Sequence, residues 1–259
     1  MVIGPNTERI PRRRRPQRVA LVTDFGAGPY IGQMRLLLAA GRPSLPVIDL
    51  LANLTPFRPD LAAFVLPGLV RGMPPGTLYL CVVDPGVGTD RGILAVQLGD
   101  DWLLAPDNGV LVTLIRHAGD ATRVWRVDWR PPAASATFHG RDIFTPIAEQ
   151  ICAGRLPAAT PVPPAALVGA EWPPSLAAVC YVDHFGNLIS GMRAADVPVD
   201  AVLRVAGRHV RRARTFSDLA VGEAFWYENA FGLLEIAVNQ GRADARLGLV
   251  AGDPLAFEP

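Results

Sequence analysis

The sequence contains no lysine; all 25 of its basic residues are arginine. Arginine keeps its charge and serves most surface roles of lysine, so this absence reads as coding bias. Cysteine is scarce. Cys81, Cys152 and Cys180 are too few and too scattered for a disulfide framework, and no CxxC pair points to zinc. No apolar run approaches the roughly 20 residues that span a bilayer. No apolar stretch follows the arginine cluster near the N-terminus, so no secretory signal is expected and the cytoplasm is the default compartment. Acid and base nearly cancel, at a formal net charge of +1.

That balance is unevenly placed. Residues 1–18 hold six Arg and one Glu, a local charge of +5, whereas the other 241 residues sum to −4. The reading is a disordered basic tail, residues 1–17, dispensable for any chemistry, on a mildly acidic body. An acidic body argues against a nucleic-acid partner. Half of the 259 residues are hydrophobic, which excludes disorder for the body and supports a substantial core.

From Arg18 to about Arg155, short apolar runs alternate with helical patterns. "RVALVT", "PVIDL", "GTLYLCVVD" and "RVWRV" read as strands. Ile93–Leu98 and Trp102–Ala105 read as a hairpin. Helices are predicted from Tyr30 to Ala40, from Asp60 with Pro67 kinking or ending it, over "GVLVTLIRHA", and over "IFTPIAEQICAG". This alternation predicts an α/β domain over 18–157, a three-layer αβα sandwich. Six Pro in the 21 positions from Arg155 to Ser175 predict an extended linker, set at 158–175. Seven short strand-like runs follow, Leu176–Val182, Leu188–Met192, Ala201–Val205, His209–Arg212, Ala224–Tyr227, Leu233–Val238 and Pro254–Phe257. They predict a small β-barrel over 176–259.

Four clusters carry candidate chemistry. Asp24 ends the first strand, where a carboxylate either accepts ribose hydroxyls or caps the next helix. Asp84 and Arg91 bracket the loop "PGVGTD", a tight turn that either admits a ligand or carries a surface ion pair. The third cluster pairs "APDNG", where Asn108-Gly109 also suits a plain turn, with His139 in "FHGRD". His139 is flanked by Gly and charge, which suits catalysis better than the settings of His117 or His209. In "YVDHFGNLI", Asp183 suits an ammonium group, Phe185 a flat ring and Asn187 the edge of a base; a tight turn explains the same residues.

Taken in order, "LVTDFG", "VVDPGVG" with Arg91, "APDNGVL", "HGRDIF", "YVDHFGNLI" and "FGLLEIAVNQG" resemble the S-adenosylmethionine (SAM) hydrolases that form adenosine. These are also called SAM hydroxide adenosyltransferases and are relatives of the fluorinating and chlorinating adenosyl enzymes. The resemblance covers about residues 18–253. It implies attack of water or hydroxide on the ribose C5′ of SAM, giving adenosine and L-methionine, with no cofactor. It implies a catalytic set of Asp84, Arg91 and His139. It also implies a ribose contact at Asp24, a methionine-amine contact at Asp183, and adenine contacts at Phe185 and Asn187. Asn108, Ala230 and Phe231 complete the implied substrate contacts. A homotrimer is implied too, with SAM between the N-terminal domain of one subunit and the C-terminal domain of its neighbour.

The alternatives are a halide-using relative and a SAM- or adenosine-binding sensor that does not turn over. The halogenating relatives have Tyr where Asp84 stands, and the fluorinating ones carry an insertion where only Gly99-Asp100-Asp101 is found. The sensor would lack the water-binding set that is present here. Two departures mark the methionine end. The loop Ala27-Gly28 is one residue shorter than in the family and lacks its Asp, and Ala230 stands where Ser is common.

Overall fold

The computed structural model describes residues 8–258, apart from the side chain of Asp120. Among them the chain forms two compact units. The first comprises the residues up to Pro59 together with Pro74–Glu171, and the second comprises Asp60–Met73 and Trp172 onward.

The first unit is built on a seven-stranded sheet. Its strands are β2 (Arg18–Thr23), β3 (Val47–Leu51), β4 (Thr77–Val82), β5 (Ile93–Leu98), β6 (Asp101–Pro106), β7 (Thr122–Val127) and β9 (Ala159–Pro161). Their order is β3-β2-β4-β6-β5-β7-β9. β3, β2, β4 and β6 run parallel, and β5, β7 and β9 pair antiparallel. In β4 both faces are buried, so the strand reads as a continuous apolar run rather than an alternating one. On one face, Leu21, Leu78 and Leu80 share a core with Met34 and Leu38 of α1 (Pro29–Gly41) and Ile147 and Ile151 of α4 (Thr145–Cys152). α3 (Val112–Ala118) buries Val112, Leu114 and Ile115.

Two predicted flexible stretches are held in place. From Glu8 the basic tail is ordered: β1 (Glu8–Arg9) pairs with β8 (Arg155–Leu156), and Ile10 is buried in the same core. Its residues 1–7 lie outside the described residues. A tail with five Arg reads as disordered because they mask one apolar anchor. The Pro-rich stretch begins as the edge strand β9, where missing proline N–H groups cost no ladder bond. Farther along, the Val168 N–H donates to Asp107 at 3.1 Å.

The second unit holds β10 (Leu176–Val182), β11 (Leu188–Arg193), β12 (Leu203–Val205), β13 (Arg208–Arg212), β14 (Ala224–Glu228), β15 (Leu233–Val238), α5 (Ala243–Leu247) and β16 (Ala256–Phe257). The strand order is β10-β11-β15-β14-β13-β12-β16. The chain before β16 returns to β10, with Val179 N–H to Asp253 O at 2.9 Å and Leu255 N–H to Ala177 O at 2.8 Å, so the sheet is nearly closed. This is the predicted barrel. α2 (Pro59–Val70) groups with this unit from Asp60 on, although it lies between β3 and β4 in sequence. It runs through Pro67 to Val70 and buries eight side chains or backbone positions on nearly every side. A cut at 157 therefore misses a helix that the C-terminal unit recruits.

Candidate active site

In the first unit the candidate residues lie beyond the C-terminal ends of parallel strands. Asp24 follows β2, Asp84 follows β4 and Asn108 follows β6, and these strands are neighbours. That edge is where ligands bind in open α/β sheets.

Arg91 crosses its loop to Asp84. Its Nε lies 2.8 Å from each carboxylate oxygen, and its Nη2 also bonds Oδ2. The side chains are 9% and 2% exposed, so this is a buried pair rather than a surface one. The Gly86 N–H donates to Asp84 Oδ1 at 3.1 Å, and the Arg91 guanidinium lies over the Phe144 ring at 5.2 Å. Arg91 Nη2 also approaches His139 Nδ1 at 3.1 Å. A guanidinium has only donors, so Nδ1 accepts and the neutral ring carries its proton on Nε2.

His139 precedes a single π-helical turn, Gly140–Phe144, that leads into α4. Such bulges frequently mark functional sites. Burial, then the charge of Arg91, pushes the His139 pKa below the ordinary 6.5; Asp84 and Asp142 oppose this, and Arg130 adds to it. Neutral His139 therefore persists at pH values where a free histidine is half charged. Turnover that needs the neutral ring is expected to fall with a midpoint below 6.5. A kcat–pH profile checks this, and a midpoint at or above 6.5 would contradict it.

Asp24 does not cap α1, whose N-terminus has no side-chain cap. It accepts the Phe57 N–H at 2.9 Å, from the loop after β3. Burial raises its pKa, and the charge of Asp84 adds to the rise. Asn108 spends its amide on backbone: Nδ2 donates to Val83 O at 2.8 Å and Oδ1 accepts from Val110 at 3.3 Å. It thus fixes the residue before Asp84. Sequence reasoning passed over an aromatic group beside these residues. Phe25, Tyr30 and Phe138 meet edge to face, with centroids 5.2–6.3 Å apart. Their signal was adjacency to Asp24 and His139.

The second unit carries the other candidates. Asp183 accepts the Asn187 N–H at 2.8 Å and its Nδ2 at 3.0 Å, closing the turn between β10 and β11. Gly186, at φ 84°, permits that turn; a Cβ there would lie 2.6 Å from Asp244. Phe185 projects from it, 71% exposed. Ala230 and Phe231 occupy the turn between β14 and β15. Phe231 packs against Gly68 of α2 so closely that a Cβ there would lie 2.5 Å from the Phe231 Cβ.

The family profile of the SAM hydroxide adenosyltransferase N-terminal domain matches residues 19–160, and that of the C-terminal domain matches 177–256. The chain belongs to the SAM hydroxide adenosyltransferase family. It is 36% identical to an (R)-S-adenosyl-L-methionine hydrolase of Salinispora tropica, covering 92% of this chain and 96% of that one. An (R)-S-adenosyl-L-methionine hydrolase of Thermus thermophilus is 37% identical over 92% of this chain and 98% of its own. Among solved structures, an uncharacterized conserved protein from Thermotoga maritima superposes with a TM-score of 0.76. It is 29% identical, over 93% of this chain and all of that one. Among the described residues of this family member, no group of three or more His, Cys, Asp or Glu is placed to hold a metal ion.

Proposed function

We propose that this enzyme hydrolyses (R)-S-adenosyl-L-methionine to adenosine and L-methionine. The observation that carries the reading is the buried Arg91, fixed by Asp84 and within hydrogen-bond distance of His139 Nδ1. The oxygen of water forms a bond to C5′, the C5′–S bond breaks, and its electron pair stays on sulfur. The leaving group is a neutral thioether, so no general acid and no cofactor is called for. The barrier lies in holding a poor nucleophile in line, where positioning contributes up to about 7–11 kcal/mol.

Each residue has a role in that step. The Nε2–H of His139 orients the water. Arg91 stabilises the hydroxide-like oxygen, since its charge cannot be lost. Asp84 receives the proton and gives it up once the products have left. Asp24 holds the ribose hydroxyls, Asp183 the methionine ammonium, and Phe185 and Asn187 the adenine, with Ala230 and Phe231 adding contacts and Asn108 supporting Asp84. Asp84 also argues against halide as the nucleophile, because a carboxylate repels an anion.

The assembly proposed is a homotrimer in the cytoplasm. Leu36 and Leu37 on α1 and Ile48 on the edge strand β3 are exposed apolar surface that a neighbouring copy would cover. None of the described helices is long and apolar enough to cross a membrane. Incubation with each sulfonium epimer of SAM, scored by chromatography, is expected to release adenosine and methionine in equal amounts from the (R) form. SAM left intact by a protein that binds it would leave the sensor reading.

A further inference from the structure

Glu235 lies in the middle of β15 at 4% exposure, on the strand face opposite Leu234 and Ile236, which belong to the barrel core. An apolar side chain would fill such a position at lower cost, since a buried carboxylate must be desolvated. Burial, and then the charge of Asp183, pushes its pKa up, while its hydrogen bonds oppose the shift. The strand register explains its neighbours. Glu235 pairs with Tyr227 on β14 and with Ile189 on β11, so it stands between the two strands that border the candidate loops.

Its oxygens are used in both directions. The Tyr227 hydroxyl donates to Oε1, and Asn229 Nδ2 donates to Oε2 at 2.9 Å. The Asn187 side chain also acts on the carboxylate, favouring its charged form. Asn229 then uses its Oδ1 to accept the N–H groups of Phe231 at 2.9 Å and Leu233 at 3.0 Å, which sets the turn bearing Ala230 and Phe231. Asn187 is the partner of Asp183. Two donors bond separate oxygens of one group, with Asn187 acting beside them, and only a side chain with two acceptor oxygens serves both donors.

We propose that Glu235 is a positioning residue for SAM binding, fastening the Asp183–Asn187 turn and the Asn229–Phe231 turn in one fixed arrangement. The proposal rests on the reading that these turns hold substrate. It makes recognition of the two ends of SAM interdependent, because neither turn can shift without disturbing the carboxylate they share.

The test is steady-state kinetics, SAM calorimetry and Tm on the full chain with Glu235→Ala, Glu235→Gln and Tyr227→Phe. Glu235→Ala is expected to raise KM and the Kd for SAM about 10- to 100-fold, with kcat within a few-fold of wild type. Glu235→Gln keeps one acceptor oxygen and is expected to recover most of that loss. Tyr227→Phe removes the partner outside both turns and is expected to leave KM near wild type while lowering Tm. A fall in Tm with KM and Kd unmoved in both Glu235 variants overturns the proposal, as does a fall in kcat alone. Should Glu235→Ala fail to fold, Glu235→Leu, which fills the space but accepts no donor, takes its place, and a KM and Kd for SAM unchanged in that variant decide against the proposal. A wild type that binds SAM without hydrolysing it refutes the hydrolase reading only, and Glu235 is then judged on Kd. A wild type that binds neither SAM nor adenosine overturns both.

Discussion

Replacing Asp84 with Asn is expected to lower kcat about 10²–10⁴-fold, the usual contribution of a positioned proton acceptor, while SAM still binds. The asparagine has nearly the same shape and offers Arg91 one acceptor oxygen, but it cannot take up a proton at neutral pH. The more obvious variant, Asp84→Ala, tests something else. The Asp84 side chain is 2% exposed and Arg91 is 9% exposed, so removing the carboxylate strands a guanidinium without its counter-charge. Breaking a buried pair from one side costs about 3–5 kcal/mol. Asp84→Ala is therefore expected to lower both stability and activity, and its inactivity alone would not identify a catalytic role. Asp84→Asn also removes the counter-charge but keeps an acceptor oxygen for Arg91, so its single-turnover rates are read beside its SAM affinity and Tm to separate chemistry from stability. Wild-type kcat in that variant would remove Asp84 from the chemistry.

Deleting residues 1–16 is expected to destabilise the enzyme by about 3–6 kcal/mol, from a lost core side chain and an unpaired buried donor. The charge pattern alone suggests that this arm is dispensable. Ile10, however, is 4% exposed and belongs to the core beneath α1 and α4. The Trp102 indole N–H donates to Arg14 O at 2.9 Å, and Trp102 is 2% exposed. Deletion empties the Ile10 site and leaves that indole without its acceptor. The Ile10 N–H to Gly154 O bond and the β1–β8 pairing are lost with it. The expected fall in Tm, by calorimetry, is on the order of 10 °C or more. A Tm within a degree of wild type would mean that the arm adds nothing.

Much of this fold was legible in local pattern. Strands β2, β4 and β7 follow from short apolar runs with turn residues on either side, and all seven barrel strands fall where the runs predict. The loops rich in Asp, Gly and Asn were visible for the same reason: tight turns demand those residues wherever they occur. What misled was composition. Arginine counts hid Ile10, and proline counts hid β9, because an average over a segment says nothing about the one residue that anchors it. The uninterrupted apolar face of α2 announced burial without saying in which unit.

The sequence by itself determined the elements, the turns and the residue types available at each loop, since periodicity and backbone preference act within a few residues. Only the tertiary structure decided which loops meet. The parallel order of β2, β4 and β6 sets Asp24, Asp84 and Asn108 along one sheet edge. The chain's return through the π-helical turn sets His139 against Arg91, 48 residues earlier. The register of β15 sets Glu235 between its two turns. These pairings are selected by the burial of whole faces against one another, a free energy summed over the core that no local window of sequence contains.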